Sequence, residues 1–186
     1  RGRGSMWGVT VTFFAVGALL GGVALGAFLG AAGAVAIGDR VGEDARLAII
    51  AVVLVAALAL ELRARPIPGP RRQVNERWLD QLRGWVYGAG YGSQLGLGVT
   101  TIVSSAATYV ALAAALLSAS AIAGAAIIGS FGAVRGLTPM AAAGVRSPGG
   151  LIRLHRALAR WHAPVRTAGI AVLIGALGVA LFGSLA

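Results

Sequence analysis

Two stretches of the chain carry no charge over lengths that a soluble fold could not hide: 32 residues from Trp7 to Gly38 and 51 from Gly84 to Val134. About 20 apolar residues suffice to cross the roughly 30 Å hydrocarbon core of a bilayer as a helix. Backbone in that core finds no water to bond, so only helices and closed barrels span it. Runs this continuous lack the apolar/polar alternation of barrel strands. The expected fold is therefore all-α, a polytopic transmembrane helical bundle. The chain is 58% hydrophobic and 12% charged, with a mean hydropathy of +0.83, as that class requires.

The first run is about 48 Å long as one helix, too long for a single upright crossing. Broken at Gly21-Gly22 it becomes a short hairpin; unbroken, it is one strongly tilted span. A second span is expected from Leu47 to about Leu62. The 51-residue run accommodates two more, with Ser118-Ala119-Ser120 as the turn between them. The last span is expected at Thr167 to Leu185. The total is six spans, or five if the first run crosses once.

Charge sets the orientation. All sixteen basic residues are arginines, against six acids, and the formal net charge is +10. In a soluble protein that balance would suggest nucleic acid; in this one it reports the positive-inside bias, with anionic lipids as the partners of the basic loops and no nucleic acid. Segment 38–46 has net charge −1 and is expected outside. Segment 61–83, with six arginines, three acids and three prolines, is expected to be a cytoplasmic connector. Segment 146–166 has five arginines and no acid. Its Leu151, Leu154, Leu158 and Trp161 recur at helical spacing opposite Arg153, Arg156 and Arg160, as in an amphipathic helix lying in the cytoplasmic interface. The C-terminus then lies outside, and the expected location is a bacterial plasma membrane. Residues 1–5, RGRGS, precede Met6 and read as a vector-derived tag; 6–186 reads as one transmembrane domain.

Small residues recur every fourth position on two of these segments. Gly22, Gly26, Gly30 and Gly33 share one helical face, and Ala171, Gly175 and Gly178 repeat the device in the last span. Such stripes let helix backbones approach closely. They serve packing within the chain, a dimer interface or the wall of a conduit; a homodimer or a membrane partner is the protein partner to expect.

A polar track is the candidate substrate path. Gln94, Gly98, Thr101, Ser105 and Thr108 fall within about 80° of one another on a helix turning 100° per residue. The hydroxyls either bond to a neighbouring helix or line a route at the bilayer midplane. Arg135 sits near the inner end of its span, among glycines, either as a snorkelling anchor or as the electrostatic partner of an anionic substrate.

Other chemistry is poorly supplied. There are no cysteines, so thiolate metal sites, disulfides and thiol redox are excluded for this sequence. No Asp or Glu is expected inside a span, and no nucleophile constellation or phosphate-binding glycine motif occurs, so no catalytic residue is assigned and the chain does not read as an enzyme. His155 and His162, seven apart, lack the acid or cysteine partners of a metal or haem site. No metal or cofactor is assigned.

From Tyr87 onward the layout resembles the second half of the cytochrome-c-biogenesis/DsbD transmembrane (CcdA-type) family of the LysE-type transporter superfamily. The residues carrying the resemblance are GAGYGSQLGLGVTTIVSSAATYVALAAALLSAS, GAAIIGSFGAVRGLTP and RTAGIAVLIGALGVALFG. It implies six spans in two inverted three-helix repeats, here 6–65 and 84–186 joined by a connector at 66–83, with a site between the repeats. Redox members of that family carry a cysteine in the first helix of each repeat; this chain has none. The leading expectation is a small transporter or exporter-like protein with its site between the repeats, where Gln94, Thr101, Ser105 and Thr108 would supply neutral hydrogen bonds and Arg135 would favour an anionic or zwitterionic solute. The alternatives are a non-transporting membrane subunit that binds a partner protein, and a cysteine-free form of a thiol-redox membrane protein.

Overall fold

A computed structural model describes residues 6–63, 67–69, 82–98, 103 and 105–183. Among the described residues six α-helices follow one another: α1 Trp7–Ala36, α2 Glu43–Leu62, α3 Gly84–Gly96, α4 Ala107–Leu117, α5 Ala121–Gly136 and α6 Pro148–Gly183. Short 3₁₀ turns at Gly38–Arg40 and Thr138–Ala142 follow α1 and α5. No strand occurs among the described residues. Among the described residues four segments are long and apolar enough to cross a membrane: α1, α2, α6 and Ala121–Ala142, which joins α5 to its 3₁₀ turn.

These helices leave large apolar side chains uncovered. Leu20 and Phe28 of α1, Val52 of α2 and Val172 and Val179 of α6 are all more than half exposed. Apolar surface on this scale marks a lipid-facing exterior, and the chain is a membrane protein.

Two of the expected boundaries change. The first apolar run does not turn at Gly21-Gly22; it is one helix of 30 residues, about 45 Å long. The hairpin needed for a sixth span is therefore absent, and the two glycines serve packing instead. The amphipathic segment and the last span also merge, because α6 runs unbroken for 36 residues with Pro164 inside it. A proline removes one intrahelical hydrogen bond, and the backbone on both sides of Pro164 stays helical.

α1 is the central element, held between α3 and α5, and its glycines determine how closely. A Cβ on Gly22 would stand 2.5 Å from the carbonyl oxygen of Ile128 in α5, and Cβ atoms on Gly26, Gly30 and Gly33 would collide with the carbonyls of Gly124, Ser120 and Leu116. Toward α3 the arrangement is reciprocal: Gly17 and Gly21 lie on the backbone of Ala89 and Ser93, while Gly88, Gly92 and Gly96 lie on Thr10, Phe14 and Ala18. These contacts make α3 parallel to α1 and α5 antiparallel to it. Each glycine costs about 1 kcal/mol of helix propensity. That cost is offset by dispersion across backbones in contact, the main attraction between helices in lipid.

Gly175 and Gly178 do not share this packing, since a Cβ on either would meet nothing within 4 Å. Their face of α6 is open, and α6 instead presents Leu173, Leu177 and Ala180 to Ile50, Ala51, Leu54 and Leu58 of α2. Ala107 and Val110 of α4 complete this second cluster, so α4 joins the α1/α3/α5 layer to the α2/α6 pair.

Candidate functional site

The expected polar track does not lie on one helix. Its first part, Gln94, belongs to α3, and its last, Thr108, to α4; between them the chain leaves the helix. Gly98 adopts φ +70°, a left-handed conformation that glycine takes without strain. Its N–H donates to Leu95 O at 3.1 Å and that of Leu97 to Ser93 O at 3.0 Å, tying off the exposed carbonyls of α3. The start of α4 is fixed by Ser105, whose Oγ accepts from the N–H of Ala107 at 3.2 Å. Thr101 lies outside the described residues. α3 and α4 are each about 16–20 Å long, half a bilayer apiece.

Sequence reasoning missed the group that anchors this break. Glu61, in the last turn of α2, accepts through Oε1 both the Ser105 hydroxyl and the Ala106 N–H, each at 2.7 Å. A carboxylate on a backbone N–H at a helix start also meets the positive end of the helix dipole. The Arg166 guanidinium of α6 donates to the backbone carbonyl of Glu61, and the Tyr109 hydroxyl donates to that of Pro68. Three helices thus meet on Glu61. The signal for it was an acid at the very end of an otherwise apolar run.

Beyond Ser105, Thr108 is buried, 3% exposed. A Cβ on Gly98 would stand 3.4 Å from the Phe131 ring of α5 and 3.5 Å from Thr108 Cγ2, so these three residues close the space below the break. The same Phe131 ring carries the Arg135 guanidinium, 5.3 Å from its centroid, a cation–π contact that fixes where the charge sits.

Arg135 opens onto a cavity of about 590 Å³ between the N-terminal half of α1, α3 and the end of α5. Its polar lining includes Thr10, Tyr87 and Tyr91, and its apolar lining Trp7, Phe14 and Leu95. The aromatic wall is braced: Phe14 meets Tyr91 edge-on at 5.3 Å and Phe13 meets Trp85 at 5.7 Å. Thr10 Oγ1 is buried with no hydrogen-bond partner. Of the expected path residues, Ser105 is held by Glu61, Thr108 and Phe131 both approach Gly98, and Arg135 stacks on Phe131. Gln94 stands on α3 next to Leu95, a cavity-lining residue.

The chain is similar to the methylamine utilization protein MauF of Paracoccus versutus, with 33% identity over 127 residues, 67% of this chain and 46% of that protein. It thus spans about half the length of that relative. No protein-family model matches the chain, and no solved structure does.

Proposed function

We propose that this protein carries a small anionic or zwitterionic solute across a bacterial plasma membrane, with the discontinuous α3–α4 element beside the path. The observation that carries the reading is the break itself. Non-helical backbone inside a membrane domain is tolerated where it is buried in protein or lines a water-filled cavity, and discontinuous helices are where transporters place their sites; this break lies level with the last turn of α2, where the proposed cytoplasmic connector begins. Here the break is fastened at one end by Glu61 and flanked by Thr108 and Phe131, which leads to Arg135.

The proposed topology has five crossings: α1, α2, α3 with α4 as one broken span, α5 and α6. The arginine-rich segments 61–83 and 146–166 face the cytoplasm and the C-terminus lies outside. Kinship with the CcdA-type family belongs to the same proposal, supported by the broken helix in the half of the chain that carries the resemblance. Because the sequence holds no thiol, transport rather than electron transfer is the activity it would retain.

Flux in proteoliposomes tests the proposal. Ser105→Leu, which puts a bulky apolar group at the break, and Arg135→Ala should each reduce uptake of small carboxylates or amino acids against a matched wild type. Unchanged flux in both would remove these residues from the path. The similarity to a protein named for methylamine utilization favours a second reading, a non-transporting membrane subunit in amine metabolism. Co-purification in a stable larger complex, with no flux, would support it.

A further inference from the structure

The cavity at Arg135 has a composition more specific than its size. One guanidinium faces a space otherwise walled by aromatic and aliphatic groups and neutral hydroxyls. Among the described residues Arg135 has the Phe131 ring against it and no carboxylate paired with it. Its backbone is held as well, because the Thr138 hydroxyl donates to Arg135 O at 2.7 Å. A guanidinium kept in place but uncompensated is a ready partner for a carboxylate or phosphate oxygen pair.

We infer that this cavity binds an amphipathic monoanion: one carboxylate or phosphodiester group on Arg135, joined to an apolar body lying against Trp7, Phe14 and Leu95. A single charge is specified because the lining offers a single cation among the described residues, and a second negative charge would be desolvated without a partner there. An apolar body is specified because a fully hydrophilic ion would leave the aromatic wall facing water. Thr10 supplies the second polar contact. Its buried hydroxyl has no partner, an arrangement that is unfavourable unless one is provided, and the residue lines the cavity that would hold the anion. Such a ligand has two sources, a free monocarboxylate or an anionic phospholipid. The inference deepens the transport reading and rests on it only for onward movement of the ligand.

The test uses the full chain in phosphatidylcholine nanodiscs with radiolabelled benzoate as the probe. Benzoate should bind saturably and be displaced by hexanoate, but not by succinate or hexylamine. Arg135→Gln should weaken binding by about tenfold or more, as expected for loss of a charge-assisted pair; Thr10→Val should weaken it severalfold, with Arg135→Lys intermediate. Thermal midpoints confirm that the variants are folded, and Thr10→Val tests the cavity without touching its charge. Displacement of benzoate by phosphatidylglycerol but not by hexanoate assigns the site to lipid. The inference is overturned if neither benzoate nor phosphatidylglycerol binds, or if binding is the same in wild type, Arg135→Gln and Thr10→Val. Arg135-dependent binding without flux would keep the site and end the transport reading; flux that persists unchanged in Arg135→Gln would do the reverse.

Discussion

Ser105 and Glu61 lie 44 residues apart in sequence, and the serine hydroxyl donates to the glutamate carboxylate at 2.7 Å. The same carboxylate oxygen accepts the Ala106 N–H, so a side chain from α2 decides where α4 begins. Replacing Glu61 by alanine leaves both donors without an acceptor, at an expected cost of about 1–3 kcal/mol. Glu61→Gln, which keeps an oxygen in place, should cost about half as much. Thermal unfolding in mild detergent gives both values, and a double-mutant cycle with Ser105→Ala should show a clear coupling. Additive losses would show that the two side chains do not act together.

The glycine seam of α1 should tolerate no side chain. A Cβ on Gly26 would enter the Gly124 carbonyl, so Gly26→Ala should destabilise by about 1–3 kcal/mol through forced separation of α1 and α5, and Gly26→Leu should abolish recovery of folded protein. Gly175→Leu, at a position with open space around it, is the control and should be close to neutral. Equal sensitivity at the two sites would contradict the packing described.

Ala119 is the single described non-glycine residue with positive φ, at 47° in the turn between α4 and α5. An L-residue there costs about 1–2 kcal/mol. Ala119→Gly should therefore raise the thermal midpoint, whereas Ala119→Val should lower it. A lower midpoint for the glycine variant would mean that the turn is held by contacts with the alanine methyl.

What could be read in the sequence and what could not divide along physical lines. Apolar length marks α1, α2 and α5, and two serines mark the Ser118–Ser120 turn, because these signals are local: Ser120 caps α5 by accepting from Ala123 N–H at 3.3 Å. The small-residue face of Gly22, Gly26 and Gly30 is local too. The same four-residue spacing in Gly88, Gly92 and Gly96 is equally local and supplies the α3 side of the α1–α3 contact. Treating residues 94–108 as one helical face failed because no proline marks the interruption; Gly98 closely following Gly96 is the local sign. Glu61 and the Thr10–Arg135 cavity depend on contacts between distant segments, which periodicity does not report.

The central claim is that water reaches the break between α3 and α4. Because the chain has no cysteine, a single introduced thiol reports its own surroundings. In proteoliposomes, Ser105→Cys should react with a membrane-impermeant maleimide at a rate approaching that of Gly144→Cys in the exposed segment after α5, while lipid-facing Val52→Cys stays unlabelled. Ser105→Cys as inert as Val52→Cys would mean that the break is sealed, and the transport account would be wrong.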